Sequence, residues 1–554
     1  MVCACIQLRK EKSVHLVFAP SGRRVIPYPP VSIAVLAAAL EAAGLAEVWP
    51  VDLEMRLAAA HLSGDAPLIY QRRVLVEDVL APSLSDETAS YADLLWSSLG
   101  GPDGGDVGIS VMGYDQVASA LLLGRTALEH GCRLLMGGQF FTIDSARQVI
   151  DSLRPWGSVT ITIGDGWEAV VEFARKSPSA FIPNSTTTDR VGTVQGPQVV
   201  SKSAPPLPTY SWVPWDDYEL YGMRIYQSSR PERRAHLYVW DKQCIFRCAF
   251  CRVATGSRAQ LTPPRTAAKA LLGLQQNGVS QVNVMTNELN PSRTYLHRFL
   301  DAMESTVTNP VTWFTYIRAD YVSAEDFSRI HAAGGRLARF GVESGSQRML
   351  DRMRKDYRVP VIEQTLRDAA GANLLNHVNF LVGFPGEQRE DVEATLRFID
   401  RNATHIHSAR VNPFYLPPGT PMTREPGAFD IKLEAFESGW WTYRDINGSK
   451  PDVDVVVNNI ERVTQSCVDN GIGFVGTDPF FLLDALSQHN NRDETLAHLK
   501  AKYPPLWEPA PTDIYKALIG GYKVSSEWRD TTLRRQNNYA LTLSPSASST
   551  FCSD

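Results

Sequence analysis

The sequence predicts a multidomain α/β protein: an N-terminal doubly wound parallel sheet, a central parallel barrel or part of one, and a mainly helical C-terminal region. Two observations carry this. Short apolar runs alternate with helical stretches of about a dozen residues, the pattern of parallel sheets covered by helices. That alternation breaks once, in a Pro- and aromatic-rich connector, and then resumes. At 554 residues the chain is long enough for three or four cores. The boundaries read as 1–185, a linker at 186–230, a second domain at 231–425, a third at 426–537, and a Ser-rich, disordered tail at 538–554.

In the first domain Val14–Phe18 reads as a buried strand and Ser32–Ala43 as a helix capped by Gly44. Glu47–Val51 is the next strand. The units Val107–Val111 with Gln116–His130, Arg133–Gly137 with Thr142–Leu153, and Val159–Ile163 with Trp167–Lys176 follow. Sheets of this kind bind ligands beyond the carboxyl ends of their strands. The loops there are Ser110-Val-Met112-Gly-Tyr114, Gly137-Gly138-Gln139 and Gly164-Asp-Gly166-Trp-Glu168. Each serves equally as a tight turn or as backbone that lets a ligand approach.

After the connector, Ala235–Trp240 delivers Cys244-Ile-Phe-Arg-Cys248-Ala-Phe-Cys251, three thiols spaced C-x3-C-x2-C. Three close thiols suit soft iron or zinc chemistry. Structural sites close with four protein ligands, whereas three leave a coordination position open. The spacing therefore reads as an iron–sulfur site, with a zinc knot completed by His236 as the other possibility. Further strands are expected at Gln281–Met285, Val311–Tyr316, Leu337–Val342, His377–Val382 and Ala409–Tyr415, separated by helices. Their carboxyl ends carry Asn287-Glu288, Arg318-Ala-Asp320, Glu343-Ser344-Gly345 and Gly383-Phe-Pro-Gly386. Chemistry in such architectures sits at those ends.

The composition is that of a globular protein, with 44% hydrophobic and 21% charged residues. A net charge of −5 argues against nucleic acid or a membrane surface as partner. No apolar run is long enough for a membrane span, and the basic start lacks the apolar core of a secretory signal. Eight cysteines in so long a chain are no disulfide framework, which fits a cytoplasmic setting.

The cysteine spacing, Gly341–Leu350 and Phe380–Glu387 closely resemble the corresponding stretches of the cobalamin-dependent radical S-adenosylmethionine (SAM) enzymes. The three glycine-containing loops resemble the cobalamin-binding domain found upstream in that class. The likeness implies a partial (β/α)6 barrel, three cofactors (a [4Fe-4S] cluster, SAM and cobalamin), and methyl transfer from SAM through methylcobalamin to an unactivated carbon. A small-molecule or peptide natural-product intermediate would be the substrate, and an external flavodoxin or ferredoxin the electron donor. A rearrangement or cyclisation without methyl transfer is the other radical outcome; methylthiolation fits less well, since neither a second cysteine trio nor a small C-terminal RNA-binding barrel is evident.

The resemblance carries roles with it. Cys244, Cys248 and Cys251 would hold the cluster. Ser110, Met112, Tyr114, Gly137, Gly138, Gln139, Gly164, Gly166 and Glu168 would contact cobalamin. Phe250 would lie beside the adenine of SAM or simply pack the loop. Glu343 and Ser344 would bind its ammonium or ribose, and Gly383 and Gly386 would let backbone approach its adenine. Arg318 would pair with the SAM carboxylate or with Glu343, since a buried carboxylate needs a cation. Glu288 would contact a SAM hydroxyl or the substrate, or would ligate the fourth iron. The second role would favour polar chemistry on an aromatic carbon, as in the non-radical tryptophan methylase of thiopeptide antibiotic biosynthesis. One departure is plain: many cobalamin proteins carry D-x-H-x-x-G, but here Ala59 precedes His61-Leu-Ser-Gly64.

Overall fold

The computed structural model describes residues 13–21, 27–45, 47–62, 76–113, 116–138, 140–141, 143–175, 185–189, 192–195, 205–226, 228–239, 244–254, 261–304, 310–437, 440–473, 480–488 and 492–502. Tyr114, Gln139 and the expected tail at 538–554 lie outside them. The chain divides into two compact units, residues 1–238 and 239–554.

The first unit is built on a seven-stranded sheet. Its strands are β1 (Val14–Phe18), β2 (Val48–Asp52), β3 (Asp106–Ser110), β4 (Arg133–Gly137), β5 (Val159–Thr162), β6 (Ser185–Asp189) and β7 (Gly192–Gln195), in the order β2-β1-β3-β4-β5-β6-β7. The first five pair in parallel; β6 and β7 add antiparallel. Apolar residues fill both faces because helices cover both. On one face Leu95, Trp96, Leu121 and Ile150 join Leu134 and Met136 in a core. On the other, Ile33, Leu40 and Phe173 pack with Leu16 and Leu135. This is the doubly wound arrangement, and β1, paired to both β2 and β3, marks the point where the winding reverses.

The stretch read as a linker is more structured than expected. Ser185–Gln195 forms the β6–β7 hairpin, and Trp215–Ile225 is a helix. Ser-Thr-Thr-Thr-Asp has no apolar alternation to betray a strand, and its register comes from pairing with β5. In the helix, the hydroxyl of buried Tyr218 donates to Asp52 Oδ2 at 2.7 Å. Burial pushes the Asp52 carboxyl up to about 6, despite the hydrogen bonds it accepts from Tyr218 and from the Met55 and Glu54 amides. Residues 53–62 and 86–98, unassigned from sequence, are helices, and His61 falls in the last turn of the first.

A six-stranded parallel sheet follows, comprising β8 (Arg234–Tyr238), β9 (Gln281–Met285), β10 (Thr312–Tyr316), β11 (Gly335–Glu343), β12 (Leu375–Val382) and β13 (Ser408–Pro413). Its strand order follows the chain, β13-β12-β11-β10-β9-β8. A sheet wound in one direction carries its helices on one face only. Phe340 meets Phe327 of the helix Ala324–Ala332 at 6.3 Å, and Phe380 meets Phe398 of the helix Arg389–Asn402 at 6.3 Å. The other face turns inward, as in part of a barrel. The region after 426 opens with an antiparallel hairpin, β14 (Ile431–Glu437) and β15 (Trp440–Asp445), ahead of the helices Val453–Asp469, Phe480–Gln488 and Arg492–Lys502. The sequence reading passed over this hairpin, although Ile431-Lys-Leu-Glu-Ala alternates at the strand period. No helix among the described residues is long and apolar enough to cross a membrane.

Candidate active site

The cysteine loop is closed on itself and pinned from both sides. Cys244 N donates to Val253 O at 2.8 Å, and Cys251 N donates to Cys248 O at 3.2 Å. Ala249, fully buried between the last two thiols, donates its N–H to Met353 O at 2.9 Å and accepts from Met422 N at 3.0 Å. Met349, Met353, Phe384 and Met422 pack beneath it. Cys244 and Cys248 are buried and Cys251 partly so.

Glu288, just past β9, faces the first thiol: Oε1 and Oε2 lie 3.4 and 3.5 Å from Cys244 Sγ. Burial and then the Glu288 charge push the Cys244 thiol far above its ordinary range. Burial likewise raises Glu288, against the pull of Arg318 and Lys355. A carboxylate and a thiolate at this distance are stable together only with a proton or a cation between them.

Two buried cations stand nearby. Arg318 lies with its guanidinium carbon 3.6 Å from the Phe246 ring centroid and 4.8 Å from that of Tyr357. Its Nε is 2.6 Å from Asp320 Oδ1. Asn290 fixes the backbone of this turn, with Nδ2 donating to Arg318 O at 2.9 Å and to Asp320 O at 2.8 Å. The second cation is Lys355, whose Nζ is 3.4 Å from Glu343 Oε1, with the two side chains only 10% and 12% exposed. Burial alone would lower the Lys355 pKa, but Tyr357, Glu343 and Cys248 outweigh it and hold the ammonium firmly charged. The partner of Glu343 is thus Lys355, while Arg318 pairs with Asp320. Sequence reading missed Lys355 because it lies in the irregular stretch after the helix Gln347–Arg352, away from any strand end.

Glu343 takes a left-handed backbone, φ 65°, at a bulge where β11 pairs with β12. Such a conformation in a residue other than glycine costs about 1–3 kcal/mol. The bulge turns the carboxylate toward Lys355, and Gly341 makes the room: a Cβ there would lie 2.5 Å from Glu343 Oε1 and 3.1 Å from Lys355 Nζ.

Other expected contacts have protein partners. The Ser344 hydroxyl is buried against Thr395 Oγ1 at 3.1 Å and accepts from Ser346 N at 3.1 Å. A Cβ on Gly383 would strike Val456, and one on Gly386 would strike the Arg352 guanidinium. Both glycines thus answer to packing within the protein. Arg352 donates to Pro385 O at 2.7 Å and pairs with Asp430 at 3.0 Å. Arg354 pairs with Glu425 at 3.4 Å. Phe250 stands edge-on to Phe384 at 6.5 Å and 5.9 Å from Lys355 Nζ, so it packs the loop beside the cation.

In the first unit the three glycine-containing loops end β3, β4 and β5, which are neighbours in the sheet. Gln116, which sequence reading gave only as a helix start, ties the loops at the winding reversal. Its Oε1 accepts from Met112 N at 2.6 Å and Gly113 N at 3.3 Å, and its Nε2 donates to Ala19 O at 2.5 Å. The Ser110 hydroxyl donates to Ser32 Oγ at 3.1 Å. Gly138, φ 126°, has no space for a Cβ beside the Val111 carbonyl, whereas at Gly164, φ 94°, a Cβ would meet nothing within 4 Å. A Cβ on Gly137 would lie 3.6 Å from Thr162 Cβ, and one on Gly166 would lie 3.6 Å from Leu36 Cδ2, both ordinary contact distances. Glu168 lies in the first turn of the helix Trp167–Arg175.

Residues 241–399 match the family model of the radical SAM superfamily. This stretch is a radical SAM domain. A radical SAM domain works with a [4Fe-4S] cluster and SAM, and the donor set fits: three thiols on one loop, two buried cations to offset their charge, and Glu288 against the first. Among the described residues no three His, Cys, Asp or Glu side chains gather as ligands of a single metal ion. Thiols that each hold a different corner of an iron–sulfur cube need not converge on one point. His236, the fourth ligand a zinc knot would use, has its ring 4.5 Å from that of Tyr28.

Among curated proteins the chain is 23% identical over 275 residues to the tRNA-2-methylthio-N(6)-dimethylallyladenosine synthase of Dichelobacter nodosus, covering 45% of this chain and 53% of that one. It is 30% identical over 196 residues to the same enzyme of Pseudomonas aeruginosa, strain UCBPP-PA14, covering 32% and 42%. The chain thus spans about half the length, or less, of these relatives. Among solved structures it is similar to the radical SAM methyltransferase TsrM of Kitasatospora setae with cobalamin and [4Fe-4S] cluster bound, with a TM-score of 0.57 at 16% identity over 89% of this chain and 100% of that one. It is also similar to the cobalamin-dependent SAM radical enzyme OxsB with aqua-cobalamin bound, with a TM-score of 0.58 at 12% identity over 96% and 84%. The fold of this chain is that of the cobalamin-dependent radical SAM enzymes.

Proposed function

We propose that the protein is a cobalamin-dependent radical SAM methyltransferase acting on a small-molecule or peptide intermediate in a cytoplasmic setting. The observation that carries this is the placement of Cys244, Cys248 and Cys251 on one pinned loop, with Arg318 and Lys355 buried beside them, in a chain whose first unit ends three adjacent parallel strands in glycine-containing loops. In this reading the thiols hold the cluster, and Lys355 keeps Glu343 ionised to receive the SAM ammonium. Arg318, fixed by Asn290 and Asp320, offsets negative charge at the thiols. The open ground over Gly164 accepts the flat face of cobalamin, with Met112 and Gly113 held in place by Gln116. Bound together, these groups would supply SAM cleavage and a carrier for its methyl group. A flavodoxin or ferredoxin would supply electrons.

The contact of Glu288 with Cys244 supports a second reading, a non-radical methylase of an aromatic carbon. There Glu288 would be a fourth protein ligand of the cluster. Product analysis after anaerobic reconstitution with iron, sulfide, cobalamin, SAM and a reductant separates the two. Deoxyadenosine accompanying a product heavier by one methylene supports the first, and methylation without deoxyadenosine supports the second. Deoxyadenosine with no gain of mass would mean rearrangement or cyclisation.

A further inference from the structure

We propose, resting on the reading above, that Tyr321 is a specificity-determining residue. Its ring is a stacking platform for a flat aromatic group of the molecule the enzyme acts on.

Tyr321 lies in the turn between the carboxyl end of β10 and the helix Ala324–Ala332. Its backbone is left-handed, φ 60°, and the residue is 49% exposed. That conformation is an outlier for a bulky side chain. Such strain persists only where the surroundings over-determine it, and it gathers at ligand sites. Here the surroundings do hold it. Fully buried Asn290 accepts from Arg318 N at 2.8 Å, and its Nδ2 donates to Arg318 O at 2.9 Å and Asp320 O at 2.8 Å. The Thr365 hydroxyl donates to Ala319 O at 2.6 Å. On the other side Ser323 and Asp326 form the capping box of the helix. Hydrogen bonds thus fix the chain before and after Tyr321 in a conformation that glycine would adopt without strain.

The ring lies against the cysteine loop. It stacks on Phe246, which sits between Cys244 and Cys248, with 24° between the planes and 6.2 Å between the centroids. Phe246 also carries the Arg318 guanidinium, 3.6 Å from its centroid. Arg318 and Lys355 share the Tyr357 ring, at 4.8 and 5.3 Å. A continuous series of ring and cation contacts therefore runs from Tyr321 to the ion pair of the candidate SAM site. Among the described residues the Tyr321 hydroxyl makes no hydrogen bond that would account for its placement.

Support of Phe246 requires only an apolar side chain. Half a phenol ring left in solvent on a strained, pinned backbone is accounted for by a further ring laid against it. Aromatic rings prefer offset-stacked or edge-on contacts at about 4.5–7 Å between centroids, and the Tyr321–Phe246 pair is already offset in this way. A third ring placed on Tyr321 would extend the series at the strand-end rim beside the cysteine loop. The contact positions the molecule and takes no part in bond making, so the ring it holds need not carry the carbon that reacts.

Binding to the protein reconstituted with iron, sulfide and cobalamin tests this without turnover. The probes are 2-naphthalenemethanol and its decahydro counterpart, which is the more apolar of the two. Dissociation constants are measured by ligand-observed NMR. The aromatic probe is expected to bind at least about threefold more tightly, the worth of one stacked ring. Tyr321→Phe is expected to keep that preference. Tyr321→Leu, which retains an apolar surface without a ring, is expected to bring the ratio to about one. Equal binding of the two probes, no binding of either, or a preference that survives Tyr321→Leu overturns the proposal. Iron content and melting temperature verify each variant. If Tyr321→Leu does not fold, Tyr321→Gly, which suits the left-handed backbone, takes its place with the same expected loss. Since SAM cleavage and methyl transfer are read separately, loss of the aromatic preference leaves the proposed activity standing, and the converse also holds.

Discussion

Lys355 and Glu343 form the buried ion pair on which the candidate SAM site rests, 3.4 Å apart above a glycine that leaves them room. Glu343 alone would be an uncompensated carboxylate, since Arg318 is already engaged by Asp320.

Removing one partner is expected to cost far more than removing both. Lys355→Met should destabilise the protein by about 3 kcal/mol, the magnitude of a buried charge left without its pair. Lys355→Met with Glu343→Gln should recover most of that. Urea denaturation of the apo protein makes the comparison, and equal losses in the single and double variants would contradict the pairing.

Gly341 should be a position where function fails before stability. An added methyl meets the flexible ends of Glu343 and Lys355, which can shift aside. Gly341→Ala is therefore expected to lower the melting temperature only slightly while weakening SAM binding about tenfold, roughly the worth of one charge-assisted contact. Calorimetric titration with SAM measures it; unchanged affinity would show that the pair does not meet SAM.

Stability should depend on pH through Glu387. Its buried carboxyl is pushed up to about 7, by burial first, with the hydrogen bond it accepts from Gly383 N and Arg348 opposing and Asp391 assisting. An unfolded glutamate titrates near 4.3, so the folded state holds more protons between about 4.3 and 7. Stability is therefore present below that window and lost as the pH rises through it. The loss is on the order of 3–4 kcal/mol across the whole window, and Glu387→Gln should flatten the profile. Denaturation midpoints from pH 4.5 to 8 check it.

Glu288→Gln is expected to leave the iron content of the reconstituted protein at about four per chain, because three thiols suffice for the cluster. SAM turnover should fall if Glu288 contacts SAM or the substrate. A rise in deoxyadenosine would instead favour Glu288 as an iron ligand. Iron analysis and product quantification on the same sample distinguish them.

The motifs that announce chemistry were legible in the sequence because each sits at a strand end: the cysteine trio, Glu288, Arg318 and Glu343. What escaped was set by tertiary contact. Lys355 comes from an irregular segment and becomes part of the site only because β11 bulges at Glu343. Gln116 and Asn290 hold loops that are distant along the chain. At Gly383 and Gly386 the sequence could not show that Val456 and the Arg352 guanidinium stand where a Cβ would go. The β6–β7 hairpin was hidden for a related reason, since its strands are specified by the edge they join and not by their own apolar pattern.

The most direct test of the account is SAM cleavage by Cys248→Ala beside the unaltered protein. Both are reconstituted anaerobically with iron and sulfide and supplied with a strong reductant. The radical reading predicts deoxyadenosine from the unaltered protein and its loss, together with cluster absorbance, in the variant. A variant that retains deoxyadenosine formation, or an unaltered protein that binds a single zinc ion and leaves SAM intact, would contradict it.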